Sequence, residues 1–144
     1  GDITEFATDE RLRGVVGIVY GNDGNIIVGN SDNGDILSID PSGNVSFIAR
    51  IPRVRDQGGL IGYLTYFEGN IYSTSSSARK VYKVTLAGEI TDFAGSGSSG
   101  SSNGELLRAF FIGPNGITVD KDKRVLYVSE AVGGVANLRV IPLN

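Results

Sequence analysis

The chain has 144 residues, of which 40% are apolar and 20% charged, with a formal net charge of −3 and neither cysteine nor histidine. These figures fit a soluble globular protein and exclude a disulfide framework, a Ser-His-Asp triad, a Cys-His pair and the usual zinc ligand sets. No apolar run is long enough to span a bilayer, and nucleic-acid binding would need a strong local basic patch against the acidic background.

Residues 1–7, Gly1-Asp2-Ile3-Thr4-Glu5-Phe6-Ala7, read as a short strand. The unit at 13–50 then holds four strand-like runs, at 17–20, 25–29, 35–40 and 44–49. Three clusters separate them: Gly21-Asn22-Asp23-Gly24, Ser31-Asp32-Asn33-Gly34 and Pro41-Ser42-Gly43. Gly, Asn and Asp tolerate positive φ and Pro presets a turn, so each cluster predicts a reversal of the chain. After the segment Arg50-Ile51-Pro52-Arg53-Val54-Arg55, the same order recurs at 59–95.

A Gly- and Ser-rich stretch follows at 95–111, and it reads as a flexible loop that could act as a lid. Its Gly-Ser-Gly-Ser-Ser-Gly run lacks the Lys-Ser/Thr ending and the strand-to-helix context of a phosphate loop. The best helical candidate, 105–111, is too short to stand alone. The unit at 112–144 supplies only three strand-like runs.

These units are copies of one pattern. Ile36-Leu37-Ser38-Ile39-Asp40-Pro41-Ser42-Gly43 aligns with Val81-Tyr82-Lys83-Val84-Thr85-Leu86-Ala87-Gly88. The third copy is split: Leu138-Arg139-Val140-Ile141-Pro142-Leu143-Asn144 ends the chain, and residues 1–7 supply the remainder. Gly17, Gly62 and Gly116, which open the first strand of each unit, are spaced by 45 and 54 residues, and joining the ends gives 45 again. Four short strands at this period predict blades of a β-propeller.

The fold expected is therefore all-β: three blades per chain, the third sharing its outermost strand with the N-terminus. The boundaries are 1–12 for the shared strand, 13–50 for blade 1, 59–95 for blade 2, and 112–144 for the inner three strands of blade 3. Three blades do not close a ring, because propellers are typically built of four to eight. The expected partner is a second copy, giving a six-bladed homodimer by strand exchange that leaves no raw sheet edge. The alternative is half of a longer propeller chain.

The repeat resembles NHL repeats in Pro114-Asn115-Gly116-Ile117-Thr118-Val119-Asp120, Gly69-Asn70-Ile71-Tyr72-Ser73 and Asp40-Pro41-Ser42-Gly43. The third unit, with Gly113-Pro114-Asn115-Gly116 followed by Arg124-Val125-Leu126-Tyr127-Val128-Ser129-Glu130, is similar to the SMP-30/gluconolactonase group. That resemblance implies a six-bladed propeller and, for many members, Ca²⁺-dependent lactone or ester hydrolysis. It implies a metal-ligand role for Asn115, at the motif position whose amide oxygen faces the tunnel. The family's remaining ligands have no match in this sequence; Glu130, in the loop after the second strand of the third unit, is a second candidate ligand. The matching positions in the other units, Val16 and Ile61, are apolar.

Antiparallel order puts the loops after the second and fourth strands of every blade on one face. Arg53, Arg55 and Arg79 belong to that face, and alternation places Arg53 and Arg55 on one side if their segment is extended. Together with Tyr63 on an inner strand they form the candidate ligand set, suited to a small polar or anionic molecule in the tunnel. The alternative for the arginines is a solvated rim. Two functions follow. One is a non-catalytic ligand- or protein-binding module; the other is a Ca²⁺-dependent lactonase or esterase. A half-propeller without retained activity is the third reading. No nucleic-acid or membrane partner is expected, and the compartment stays open, with the periplasm and the exterior among those that suit the composition.

Overall fold

A computed structural model describes residues 1–52, 61–130, 134 and 137–144. Blade 1 is the antiparallel sheet β1 (Val15–Tyr20), β2 (Ile26–Asn30), β3 (Asp35–Ile39) and β4 (Val45–Arg50), in chain order. Blade 2 repeats it with β5 (Ile61–Phe67), β6 (Asn70–Ser75), β7 (Lys80–Thr85) and β8 (Ile90–Ala94). The third sheet has three strands, β9 (Pro114–Asp120), β10 (Val125–Glu130) and β11 (Leu138–Pro142). The strands therefore fall where period-2 alternation and the turn clusters put them. The three-strand third sheet is what the split repeat predicts. Among the described residues no helix is long and apolar enough to cross a membrane.

The core lies between sheets. Ile27, Ile36 and Ala49 of blade 1 pack on Leu64, Ile71, Tyr82 and Val84 of blade 2. Tyr72, Val81 and Ala94, on the opposite side of blade 2, pack on Leu126, Val128 and Ile141 of the third sheet, with Phe111 between. β6 and β7 thus contribute apolar side chains to both faces, as a strand sandwiched between two layers must. Each such residue taken fully from water is worth about 1.5–3 kcal/mol.

The remaining face of blade 1 carries a third cluster, Val28, Leu37 and Ile39, packed by Ala7, Leu12 and Val15. Residues 1–9 belong to no sheet, and of them Ala7 packs on this face. They lead into a 3₁₀ turn, Glu10–Leu12, which Asp9 caps by accepting a hydrogen bond from the Arg11 N–H.

Loop 95–111, expected to be flexible, is tied down. The Gly95 N–H donates to the Leu106 carbonyl at 2.7 Å, Ser96 to Ala109 at 2.8 Å and Phe110 to Ser102 at 3.0 Å. Ala109 and Phe111 are buried. An aromatic anchor at the loop's end outweighs the freedom of its glycines. No helix forms at 105–111; Arg108 and Ala109 each donate to the Glu105 carbonyl, which makes a single turn.

The β5–β6 turn of blade 2 is clasped to the β9–β10 turn of the third sheet. Arg124 forks onto the Glu68 carboxylate, with Nη2 to Oε2 at 3.0 Å, and lies over the Phe67 ring. Both residues have positive φ (Arg124 54°, Glu68 47°). Arg124 takes the turn position held by Gly24 and Gly69 in the other blades.

Candidate functional site

The first strands of the blades, β1, β5 and β9, lie next to one another. The approach of β1 to β5 depends on Gly17, and the packing of β9 on β10 depends on Gly116. A β-carbon on Gly17 would stand 3.3 Å from the Leu64 side chain and 3.4 Å from the Tyr63 Cα, and one on Gly116 would stand 2.6 Å from the Ser129 hydroxyl oxygen. Val16, Ile18, Tyr63, Leu64, Gly116 and Ile117 line a shallow concavity of about 330 Å³ along these strands. In a closed ring this strip faces the axis. Tyr63 is 43% exposed.

Each inner strand is irregular at its start. The pairing register shifts between Val15 and Gly17 in β1, between Ile61 and Leu64 in β5, and in β9 opposite Val128 and Glu130. Such irregularities free backbone groups that need partners. In blade 2 the buried Thr74 hydroxyl supplies them. Its oxygen accepts from the Tyr63 N–H at 3.1 Å, and its hydrogen is within reach of the carbonyls of Asn115 (2.5 Å) and Tyr63 (3.2 Å). In the third sheet Ser129 has the same role, accepting from the Gly116 N–H at 3.1 Å. Blade 1 has Gly29 at this position, and a β-carbon there would meet the Leu64 side chain. Thr74 thus joins the inner strands of two blades at the place where Tyr63 and Asn115 sit.

The last residue of each second strand is buried, polar and spent on backbone. Asn30 donates to the carbonyls of Arg13 (2.6 Å) and Arg11 (3.2 Å) and accepts from the Asp32 N–H at 2.8 Å. Ser75 accepts from the Ala78 N–H at 3.2 Å. Glu130 accepts from the N–H groups of Ile112 (2.6 Å) and Gly113 (3.0 Å) and pairs with Arg139 at 3.1 Å. Arg139 donates to the Phe110 and Ser102 carbonyls as well and covers the Phe111 ring. In blades 1 and 3 these side chains hold the segment leading into the blade's own first strand.

The structure brings Tyr63 and Asn115 together across Thr74, with Asn115 half-buried as the second residue of β9. Glu130 is not among the residues lining the concavity; its carboxylate is committed to the 112–113 backbone and Arg139. Arg79 occupies the β6–β7 turn at φ 55°, half-buried, with its Nε enclosed and without a hydrogen-bond partner. Arg53 and Arg55 lie outside the described residues. Ca²⁺ takes six to eight oxygens. Among the described residues no three carboxylates gather closely enough to hold a metal. The positions that sequence reasoning missed are Thr74 and Ser129; the signal was a hydroxyl at the same repeat position in two of three units.

No protein-family model and no curated protein matches the sequence. Solved structures do. A protein of unknown function from Bacteroides thetaiotaomicron superposes with a TM-score of 0.73 at 25% identity, over 88% of this chain and 32% of that one. A PQQ-bound aldose sugar dehydrogenase from Streptomyces coelicolor gives 0.62 at 17% identity, over 92% of this chain and 42% of that one. A catalytically inactive virginiamycin B lyase from Staphylococcus aureus, solved with quinupristin, gives 0.60 at 16% identity, over 97% and 45%. These likenesses establish a β-propeller fold. The chain spans less than half the length of each of these three proteins.

Proposed function

We propose that the chain is a non-catalytic binding module, half of a propeller ring that a second copy completes. One observation carries the reading. The polar side chains buried at the strand ends, Asn30, Ser75 and Glu130, are consumed in holding backbone, while the strip facing the ring axis is apolar apart from Tyr63. Such a surface offers contact area and one phenolic hydroxyl, which suits a small ligand with a hydrocarbon face and a polar group. Arg79, on the loop face, would add an anionic preference at the rim.

Three features support completion by a second copy. Among the described residues β11 has one edge without a neighbouring strand, residues 1–7 belong to no sheet, and apolar side chains stand exposed on both end blades (Tyr20 and Phe47 on the first; Leu138 and Val140 on the third). Native mass measurement tests the assembly, and a folded sample at the mass of a single chain overturns it.

The binding reading is tested by a thermal-shift panel of sugars, sugar acids and aromatic glycosides. A ligand of the native state must raise the melting temperature, and Tyr63→Ala should abolish the rise. The second reading, a Ca²⁺-dependent lactonase, rests on the Asn115 motif. It requires Ca²⁺ to stabilise the protein and to support lactone hydrolysis, and that pair of results would displace the binding module.

A further inference from the structure

We infer that residues 3–7 of one copy form the fourth strand of the third blade of another copy, in a register that the structure specifies. The inference rests on the reading of the chain as half a ring.

Its basis is a repeated contact. The carbonyl oxygen of Ile48, in the outermost strand of blade 1, lies 2.5 Å from the point a β-carbon on Gly88 would occupy, in the β7–β8 turn of blade 2. The carbonyl oxygen of Phe6 lies 2.7 Å from the same point on Gly43, in the β3–β4 turn of blade 1. Phe6 and Ile48 are equivalent in the repeat, as are Gly43 and Gly88. The side chains agree: Ala7 packs on Leu37 and Ile39 as its counterpart Ala49 packs in the cluster of Tyr82 and Val84. Residues 6 and 7 therefore already sit against blade 1 where the outermost strand of a preceding blade would lie. What it lacks is that blade's inner three strands.

The third sheet lacks the complementary part. A groove of about 440 Å³ runs beside β11, bordered by Asn103, Leu106, Phe111, Leu138 and Ile141. On the side chains of the free segment and the free strand, Ile3 is 103% exposed, Leu138 70% and Val140 59%. The open edge of β11 in the third sheet and the unpaired N-terminal segment at blade 1 are the two halves that a β-augmentation joins. The occupant is a second copy because the missing sequence is the chain's own: residues 1–7 complete the repeat that 138–144 begin.

Register follows from the two complete blades. β4 pairs Val45 with Ile39, Ser46 with Ser38, Phe47 with Leu37 and Ala49 with Ile36. β8 pairs Ile90 with Val84, Thr91 with Lys83, Asp92 with Tyr82 and Ala94 with Val81. Carried to the third blade, Ile3 pairs with Ile141, Thr4 with Val140, Glu5 with Arg139 and Ala7 with Leu138. Phe6 takes the irregular position of Ile48 and Phe93. The arrangement is reciprocal under two-fold symmetry, so each copy donates one strand and accepts one.

The test is disulfide cross-linking, which is clean because the chain has no cysteine. Thr4→Cys is placed in one preparation and Val140→Cys in another, and the two are mixed. Both residues are exposed, so neither substitution disturbs a packed core. Directly opposed residues of an antiparallel pair have Cα atoms about 4.5–5.5 Å apart, inside the range a disulfide bridges. The expected result is a mixed disulfide that forms at least roughly tenfold faster than with Pro142→Cys, two residues out of register. Equal or faster linkage to Pro142→Cys overturns the register. A native dimer with neither link overturns strand donation while leaving the half-ring assembly standing. Folded single chains overturn both.

Discussion

Glu130 and Arg139 meet at 3.1 Å between neighbouring strands β10 and β11, with the carboxylate side chain 0% exposed. Removing one partner of such a pair leaves a buried charge uncompensated. Glu130→Ala should therefore lower unfolding free energy by about 3–5 kcal/mol. Glu130→Gln should cost less, because an amide oxygen can still accept from the Ile112 and Gly113 N–H groups. Urea denaturation of the two variants checks the order. Near-equal midpoints for Glu130→Ala and the parent chain would mean the pair does not anchor the lead into β9.

Gly69 and Gly88 separate backbone strain from collision. Both have positive φ, 78° and 92°, but a β-carbon at Gly69 meets nothing within 4 Å, whereas at Gly88 it meets the Ile48 carbonyl. Gly69→Ala should cost about 1–2 kcal/mol for the left-handed conformation alone. Gly88→Ala should cost visibly more in the same denaturation series, because strand β4 must move.

Thr74 has a sharper prediction than its exposure suggests. Thr74→Val keeps the shape and leaves the Tyr63 N–H and the Asn115 carbonyl short of a partner, at a cost of about 1–3 kcal/mol. Thr74→Ser keeps the hydroxyl, as Ser129 does in the third sheet, and should recover most of that. Hydrogen exchange at the Tyr63 amide reports the change directly: faster in Thr74→Val, near the parent rate in Thr74→Ser.

Acid should loosen the N-terminal segment. The Arg11 side chain donates to the Asp9 carboxylate and holds its pKa down to about 2 from 3.8. A folded-state value below the ordinary one means the contribution is present above pH 3.8 and is lost as the pH falls toward 2. Glu68 is lowered by its hydrogen bonds from Arg124, and Asp40 by those from Asn44, so both act in the same direction. The melting temperature should fall on acidification below about pH 4. Arg11→Gln should flatten the part of that fall that belongs to Asp9. A melting curve unchanged between pH 7 and pH 2.5 would contradict the assignment.

Sequence alone determined the strands, their turns and the three-fold repetition, including the place where the third copy breaks. These are local properties. Alternation decides which residues face a neighbouring sheet, and Gly, Asn and Pro decide where the chain reverses. The sequence also marked Asn115, through its motif, and Tyr63, through its inner strand, as candidate site residues. Only the tertiary structure decided what their surroundings do. It turned Glu130 toward the backbone of 112–113, fastened the glycine-rich loop through Phe111, and set Phe6 on Gly43 as Ile48 sits on Gly88. Each of those outcomes depends on contacts between residues far apart in the chain, where several partners compete for one polar group or one apolar surface. No local pattern records which of them wins.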